Sequence, residues 1–227
     1  MLAIIIPANN EEEAIGGCLR SVSAAAACPG LAGEPVLTIV VLDACTDGTA
    51  AIAHEAGAVT TTVEVRNVGM ARAAGARLAL ALGARWLAFT DADTTVAPEW
   101  LHEQMALGSD AVCGTVSVKD WGVYGEPMRR HFNATYTDVD GHQHIHGANL
   151  GVSAEAYHRA GGFEPLATRE DVAFVQALQA VGARIAWSAA PRVVTSARKL
   201  FRAPGGFGST LLALAQGHLP MSPEGGA

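Results

Sequence analysis

The stretch Leu87-Ala88-Phe89-Thr90-Asp91-Ala92-Asp93 joins a short apolar run to two carboxylates, and it indicates the fold class. Residues 86–90 are predicted to form a buried strand, and if the strand continues, Asp91 and Asp93 point the same way. Because two adjacent carboxylates repel each other, a cation is expected beside them. Mg²⁺ and Mn²⁺ prefer oxygen ligands and are typically held by one or two carboxylates, with substrate phosphates and water completing the shell. The stretch therefore predicts a divalent-metal site at a strand end.

Strand-like and helix-like segments alternate around this stretch. Strands are predicted over residues 2–7, 36–42, 59–65, 86–90, 111–118 and 193–195. Helices are predicted over residues 11–27, 47–56, 68–82, 98–107, 153–160, 170–181 and 204–216. Residues 119–145 show weak periodicity and are expected to form loops. This alternation predicts an α/β fold, in which helices cover both faces of a mostly parallel sheet.

The composition excludes several classes of protein. The chain has 227 residues, half of them apolar and 16% charged, and its mean hydropathy is +0.23, so it is not a largely disordered chain. A net charge of −7 and a pI of about 5.6 argue against a protein that coats nucleic acid. No apolar run reaches the roughly 18–20 uncharged residues of a membrane helix.

Two features predict a cytoplasmic location. Residues 1–13 lack the basic region of a signal peptide. Four cysteines without a CxxC pair are expected to be reduced and buried: Cys18, Cys28, Cys45 and Cys113. Attachment to the periphery of the inner membrane is left open by Leu211-Leu212-Ala213-Leu214, which could pack on its own core, on a second copy in a homodimer, or on a membrane surface.

Polar residues follow three of the predicted strands. They are Asn9, Asn10 and Glu11 after the first strand, Asp43, Cys45, Thr46 and Asp47 after the second, and Asp91 and Asp93 after the fourth. In a parallel sheet, ligands bind beyond the carboxyl ends of the strands. Asn10 and Asp47 could merely cap helices. The convergence of all three clusters favours a binding site at this edge.

Several common motifs are absent from the sequence. No G-x-G-x-x-G follows the first strand, which counts against a dinucleotide-binding dehydrogenase, and there is no P-loop, H-E-x-x-H or G-x-S-x-G. Any bound phosphate would then be neutralised mainly by metal and arginine.

Six segments, in order and with matching spacing, resemble the motifs of family-2 glycosyltransferases. They are Ile6-Pro7-Ala8-Asn9-Asn10-Glu11-Glu12, Val41-Leu42-Asp43-Ala44-Cys45-Thr46-Asp47-Gly48-Thr49, Asn67-Val68-Gly69 with Ala71-Arg72-Ala73-Ala74-Gly75, Asp91-Ala92-Asp93, Gly147-Ala148-Asn149-Leu150-Gly151 with Gly161-Gly162-Phe163, and Glu170-Asp171. The resemblance covers about residues 3–195. It implies a GT-A fold, a Rossmann-like three-layer sandwich, as one domain over residues 1–218 with a flexible tail over 219–227. About residues 1–110 would bind the nucleotide sugar, and about 111–218 the acceptor.

The resemblance also implies an activity. The chain would be a metal-dependent, inverting, non-processive glycosyltransferase of the hexosyltransferase type, using Mg²⁺ or Mn²⁺. It would take a sugar from a nucleoside diphosphate sugar and pass it to a small-molecule, glycan or lipid acceptor. The Q-x-x-R-W element of processive members is absent. Neither the sugar, the base nor the acceptor follows from the sequence, since one fold hosts many specificities.

The resemblance assigns roles residue by residue. Donor-binding residues would be Pro7, Ala8, Glu11, Asp43, Arg72, Asp91 and Ala92, with Asp93 holding the metal. Residues beside the donor sugar and acceptor would be Gly147, Asn149 and Glu170. Asp171 would be the general base that deprotonates the acceptor hydroxyl, and its alternative role is a first-turn helix acid.

Aromatic residues and histidines in the second half have two interpretations each. Trp121 and Tyr124 either stack on an acceptor sugar or pack in the core. The alternating His142, His144 and His146 would share one face of an extended chain, as a metal site or as a polar face beside the acceptor pocket, where His146 could contact substrate. The basic residues Arg198, Lys199 and Arg202 are predicted to close over the diphosphate.

Four positions depart from the family pattern and keep other functions open. Leu42 replaces an aspartate, Cys45 a serine and Ala73 an asparagine, and Asn9 stands where an aromatic residue is common. One alternative is a degenerate nucleotide-sugar-binding protein without turnover. The other is a nucleotidyltransferase, which should carry a Gly-rich basic loop after its first strand, unlike Pro7-Ala8-Asn9-Asn10.

Overall fold

A computed structural model describes residues 1–196 of the chain. Its first strand, β1 (Leu2–Ala8), is buried along its whole length. The side chains of Leu2, Ile4 and Ile6 enter one apolar core, and those of Ala3 and Ile5 enter another on the opposite face. A strand that is apolar on both faces requires cover on both sides, which is why layers of helices enclose the sheet.

Within residues 1–196, ten strands form two sheets. The strands after β1 are β2 (Val36–Asp43), β3 (Val59–Val63), β4 (Trp86–Phe89), β5 (Thr95–Val96), β6 (Ala111–Gly114), β7 (Ser117–Val118), β8 (Leu150–Ser153), β9 (Ile185–Ser188) and β10 (Val193–Thr195). The larger sheet has the order β3-β2-β1-β4-β8-β6-β9, with β8 antiparallel to both of its neighbours, and the smaller has the order β5-β10-β7. Strands β1 to β4 are parallel, so their carboxyl ends meet at one edge.

Helices cover both faces of the larger sheet. The helices are α1 (Ile15–Ala26), α2 (Thr49–Glu55), α3 (Val68–Ala81), α4 (Trp100–Ala106), α5 (Gly125–Thr135), α6 (Ala154–Ala160) and α7 (Glu170–Ala180), with 3₁₀ turns at Pro29–Leu31 and Gly122–Tyr124. Helix α5 packs apart from the two faces, in a small cluster with Trp121. Helices α1, α2 and α4 contribute to the core on one face, and α3, α6 and α7 to the core on the other. The predicted α/β class, with a mostly parallel sheet between two helical layers, is confirmed.

The second half differs from the sequence prediction in four places. Residues 111–118 form two strands in different sheets rather than one. Residues 125–135, expected to be a loop, form α5, whose buried face consists of Met128 and Phe132 one turn apart, packed beside Trp121. Strands β8 and β9 were missed because four-residue strands carry too little periodicity to recognise.

Some predictions fall outside the described residues. They are the helix over residues 204–216, the tail over 219–227, the C-terminal boundary at 218, and the roles of Arg198, Lys199, Arg202 and Leu211–214. Within residues 1–196, no helix is long and apolar enough to cross a membrane.

Candidate active site

Asp43 ends strand β2, and its carboxylate organises the turn after strand β3. Its Oδ1 accepts the backbone N–H groups of Val65 (2.9 Å) and Arg66 (2.8 Å), and its Oδ2 accepts that of Asn67 (2.9 Å). Arg66 adopts a φ of +48°, a left-handed conformation that is costly for a non-glycine residue and persists here because the carboxylate binds three successive amides. With Asp43 only 4% exposed, a backbone-anchoring role is the one its contacts display.

The ends of β1 and β2 are also joined by the asparagines after β1. Asn9 donates its Nδ2–H to the carbonyl of Asp43 (2.6 Å), and Asn10 Oδ1 accepts the N–H of Thr46 (2.7 Å). The first two predicted clusters therefore meet at the carboxyl edge of the sheet, as their positions after neighbouring parallel strands require.

Asp47 and Glu11 connect the starts of the first two helices. Asp47 Oδ1 accepts both the N–H (3.0 Å) and the hydroxyl (2.6 Å) of Thr49, while Oδ2 accepts the N–H of Glu12 (3.1 Å). The N–H of Glu11 donates to Thr49 Oγ1 (2.7 Å), and Glu11 itself is 5% exposed. Asp47 thus fixes the turn into α2 from the residue before its N-cap, Gly48, while Asn10 does not cap α1, whose N-cap is Ala14.

Arg72, in the first turns of α3, joins two carboxylates that are far apart in the sequence. Its Nη2 lies 2.6 Å from Asp91 Oδ1 beyond β4, and its Nη1 forms a short ion pair with Glu170 Oε1 at the start of α7. Burial alone would lower the pKa of Arg72, but the charges of Asp91 and Glu170 outweigh it and raise that pKa. Burial raises the pKa of Glu170 against the opposing effect of Arg72.

Arg72 was expected to approach the nucleotide phosphates, and the structure gives its guanidinium other partners. The side chain is 3% exposed and is held between the carboxylates of Asp91 and Glu170. A planar guanidinium can bind two carboxylates at once in a fixed geometry. Arg72 therefore links the strand-end acids of the first half to the Glu170-Asp171 pair of the second.

Asp171 lies beside this ion-pair network, in the first turn of α7. Its Oδ2 accepts the N–H of Gly147 (2.9 Å), and its Oδ1 accepts the N–H of Val172 (2.9 Å). The glycine is required sterically, because a Cβ at position 147 would collide with the Arg72 guanidinium. The half-buried carboxylate is thus oriented by a backbone amide that approaches closely.

Asn149 is predicted to border the sugar or acceptor, and the structure shows the partners of its side chain. The side chain is fully buried. Its Nδ2 donates to the carbonyls of Thr115 (2.7 Å) and Pro191 (2.9 Å), and its Oδ1 accepts the indole N–H of Trp100 (2.8 Å). All three bonds are internal, so the side chain joins the residue before β8 to two loops and to the first residue of α4.

Trp121 and Ala92 also lie in apolar surroundings. Trp121 is 6% exposed and packs against Phe132 with ring centroids 5.3 Å apart, which supports the core interpretation over stacking on an acceptor. The methyl of Ala92 lies in the core under α1, so only its backbone is left to meet a donor. Pro7 and Ala8 form the buried end of β1 at the same edge.

The three alternating histidines share one face, as predicted, and their rings stack. His144 stacks on Tyr136 with centroids 4.1 Å apart and planes 9° apart, and it is also stacked with His142 and His146. The part of the chain that the structure describes contains no group of three His, Cys, Asp or Glu side chains arranged to hold a metal. The stack therefore favours the polar-face interpretation over a histidine metal site.

A match to a protein-family model identifies the family of this chain. The model described as Glycosyl transferase family 2 matches residues 3–164. The chain belongs to glycosyltransferase family 2. No curated protein sequence matches this glycosyltransferase significantly.

Solved structures share the fold of the glycosyltransferase. S. aureus TarS 1-349 in complex with UDP-GlcNAc has a TM-score of 0.69 at 17% identity, over 96% of this chain and 66% of that one. PcManGT, a mannosyltransferase from Pyrobaculum calidifontis in complex with GDP-Man and Mn²⁺, has a TM-score of 0.64 at 21% identity, over 88% and 57%. Glucosyl-3-phosphoglycerate synthase from Mycobacterium tuberculosis, with phosphoglyceric acid, has a TM-score of 0.62 at 19% identity, over 97% and 81%.

The chain matches only part of two of these structures, and the sequence identities are low. The chain spans 66% of the TarS structure and 57% of the PcManGT structure. At these identities the likeness shows the fold, which is the GT-A fold expected from the motifs.

The residues of the glycosyltransferase fit a hard divalent ion held mainly by substrate. The candidate metal ligands after β4 are the carboxylates of Asp91 and Asp93, and one oxygen of Asp91 is paired with Arg72. Residues 1–196 offer no cage of three protein ligands. A site with one or two carboxylates leaves most of the coordination shell to phosphate and water, which is how Mg²⁺ is usually bound.

Sequence reasoning on the glycosyltransferase missed the role of Tyr136. Its hydroxyl accepts the N–H of Val116 (3.0 Å) and lies 2.9 Å from His146 Nε2. No local pattern signals this contact, because Tyr136 follows a helix that was not predicted. The repeated histidines nearby were the one usable signal.

Proposed function

We propose that this glycosyltransferase moves a sugar from a nucleoside diphosphate sugar to an acceptor hydroxyl by a single, metal-dependent displacement that inverts the anomeric configuration. The observation that carries the proposal is the Arg72 link, which holds Asp91 and Glu170 together and so brings the strand-end acids and Asp171 into one site. Structural neighbours that bind UDP-GlcNAc, or GDP-Man with Mn²⁺, support a nucleotide-sugar donor.

On this proposal the donor is bound at the carboxyl edge of β1 to β4. Pro7, Ala8 and Glu11 border the base and ribose, and Asp43 contributes through the loop that its carboxylate anchors. Asp91 orients the ribose or sugar. Asp93 would hold Mg²⁺ or Mn²⁺, which when bound supplies Lewis-acid stabilisation of the diphosphate leaving group.

Asp171 is the proposed general base. A carboxylate within hydrogen-bond reach of the acceptor hydroxyl can take its proton as the oxygen attacks the anomeric carbon. The N–H of Gly147 keeps the Asp171 carboxylate oriented, and Arg72 balances the charge of the adjacent Glu170. Because the base activates the acceptor and forms no bond to the sugar, the displacement is single and inverting. The absence of Q-x-x-R-W supports a non-processive enzyme.

Calorimetric titration tests donor binding. UDP and GDP are titrated with and without Mn²⁺ into the wild type, Asp93→Ala, and the control Glu55→Ala, which removes the same charge from the exposed face of α2. We expect one nucleotide to bind, with an affinity that falls at least about tenfold without Mn²⁺ or in D93A but not in E55A. Failure of both nucleotides to bind the folded wild type would refute the proposal.

Asp171→Asn separates an enzyme from a binding protein without turnover. The variant should bind the nucleotide as the wild type does and lose about 10²–10⁴-fold in the rate of donor hydrolysis or transfer, because the amide cannot accept the proton. The family assignment favours sugar transfer over the nucleotidyltransferase alternative. A wild type that binds nucleotide sugars but turns over none would instead establish the binding protein.

A further inference from the structure

The hydroxyl of Tyr136 lies between two partners from different segments. It accepts the N–H of Val116 (3.0 Å), and His146 Nε2 is 2.9 Å away. The hydroxyl already accepts from Val116, and its own hydrogen is used when it donates to Nε2, so we assign the hydroxyl as the donor of this contact. The His146 ring is then neutral, with its proton on Nδ1.

The chain next to His146 leads directly to Asp171. The carbonyl of His146 accepts the N–H of Asn149 (2.9 Å), which forms a tight turn. The next residue, Gly147, donates its N–H to Asp171 Oδ2 (2.9 Å). The ring and the backbone of His146 are thus fixed independently, and the peptide after it presents its N–H to the carboxylate.

Tyr136 is itself held in place by ring stacking. It lies between Phe132, with centroids 4.5 Å apart and planes 16° apart, and His144, at 4.1 Å and 9°. His144 is anchored in turn, because its Nε2 accepts the N–H of Thr137 (3.3 Å). Tyr136 therefore offers its hydroxyl to His146 from a fixed ring.

We propose that Tyr136 and His146 are positioning residues for Asp171: the hydroxyl holds the imidazole, and the imidazole holds the Gly147 peptide against the carboxylate. This inference rests on the proposed function, since it concerns the proposed general base. Neither residue touches the reacting atoms in this account. Their effect falls on the rate of the chemical step and not on donor binding, because a small displacement of a reacting group is costly.

Acid conditions oppose this arrangement, because a protonated His146 cannot accept from Tyr136. Burial, followed by the neighbouring His144 and His142, lowers the pKa of His146 to about 3. The charged groups that act on the stack are Asp138, which acts on His142 and His144, and Asp140, which acts on His142. Asp138 is itself paired with Arg192, and Asp171 binds the N–H of Gly147 next to His146. Since the folded state binds this proton less readily than the unfolded state, stability is lost as pH falls from about 6.5 toward 3.

The test compares Tyr136→Phe and His146→Gln with the wild type and with His131→Gln, an exposed histidine on helix α5, which ends one residue before Tyr136. Phenylalanine keeps the stack and removes only the hydroxyl. We expect kcat to fall about 10- to 100-fold in Y136F and H146Q with donor KM unchanged. The acid limb of the kcat profile should move to higher pH in Y136F, where His146 protonates more easily. H131Q should behave as the wild type, and wild-type kcat and acid limb in both Y136F and H146Q would overturn the proposal.

Amide hydrogen exchange at Gly147 gives a readout that needs no activity. If Tyr136 and His146 hold this N–H against Asp171, its protection from exchange should fall at least about tenfold in Y136F. Unchanged protection overturns the positioning role even if the enzyme is active. An inactive wild type whose Gly147 loses protection in Y136F refutes the proposed function while leaving the contact geometry intact.

Discussion

The two halves of the glycosyltransferase position their polar side chains in different ways. In residues 1–110, carboxylates and amides at strand ends bind backbone groups of the adjacent strand end, as Asp43 does with the amides of Val65 to Asn67. In residues 111–196, a single buried side chain also reaches segments outside its own strand pair, as Asn149 does when it binds Pro191 and Trp100 in addition to Thr115 at the end of the neighbouring strand. A parallel sheet brings its strand ends together by topology alone, whereas the second half relies on individual buried hydrogen bonds.

The two halves are joined beside helix α3. Arg72 reaches Glu170 across 98 positions of sequence, and Asn67 Nδ2 donates to the carbonyl of Leu166 (2.7 Å) across 99. The candidate site lies at this joint. Substitutions at the joint should therefore cost more than similar substitutions within either half.

Replacing Arg72 breaks the joint and has the largest expected effect on stability. Arg72→Met leaves the buried Glu170 without its counter-charge, and we expect a loss of about 3–5 kcal/mol in the free energy of unfolding. The matched control Arg85→Met removes an exposed ion pair with Glu34 and should cost less than about 1 kcal/mol. Urea titration measures both values.

The pH dependence of R72M sharpens this test. Arg72 lowers the pKa of Glu170, so its loss raises a pKa that burial already holds high. A group whose pKa is raised in the folded state favours folding at low pH and loses that contribution as pH rises. The deficit of R72M should therefore shrink as pH is lowered. If R72M and R85M lost the same free energy of unfolding, the ion pair between Arg72 and Glu170 would not behave as a buried one.

A substitution at Gly147 tests how closely this residue packs against the Arg72 guanidinium. Gly147→Ala places a Cβ against the Arg72 guanidinium, which is held on two sides and cannot move away. We expect about 1–3 kcal/mol of destabilisation, as for overpacked cores, together with loss of turnover. The control Gly17→Ala lies in α1 with its nearest new contact at 3.9 Å, and it should stabilise the helix by about 0.5–1 kcal/mol. If G147A melts at the wild-type temperature, the space between position 147 and the Arg72 guanidinium is large enough for a methyl group.

The smallest expected effect concerns backbone strain in the first half. Ala44 follows β2 at the site with a φ of +51°, and Ala32 has a φ of +52° after the 3₁₀ turn at Pro29–Leu31. Glycine tolerates this conformation, so Ala32→Gly and Ala44→Gly should each raise the free energy of unfolding by about 0.5–1 kcal/mol. Only A44G should also change donor binding. If A32G and A44G bind donor equally well, the strained turn has no part in the site.

Much of the first half could be predicted because its signals are local. The helix expected over residues 68–82 is Val68–Ala81, and the strand expected over 36–42 is Val36–Asp43. Continuous apolar runs mark strands buried on both faces, and Asn67 caps α3 by accepting the N–H of Met70 (2.9 Å). Apolar runs and a helix cap are signals carried by consecutive residues, so they are visible without the fold.

The second half resisted prediction for a physical reason. Helix α5 buries only Met128 and Phe132, against Trp121, and its remaining residues are mostly polar, so it lacks the apolar content that marks a core helix in the sequence. Strand β8 has four residues and is stabilised by pairing with β4 and β6, which lie far from it in sequence. Its existence depends on partners that no local window contains.

The order of strands and helices, the acids at strand ends and the family motifs are properties of consecutive residues, and they were sufficient to indicate the GT-A fold and the class of transferase. Which of those residues is buried, and against what, depends on contacts across the fold. Arg72 and Asn149 both matched family motifs, yet packing surrounds the first with two carboxylates and the second with core hydrogen bonds. A side chain's charge and shape are encoded locally, but its partners are set by segments up to about a hundred residues away, which only the folded chain brings together.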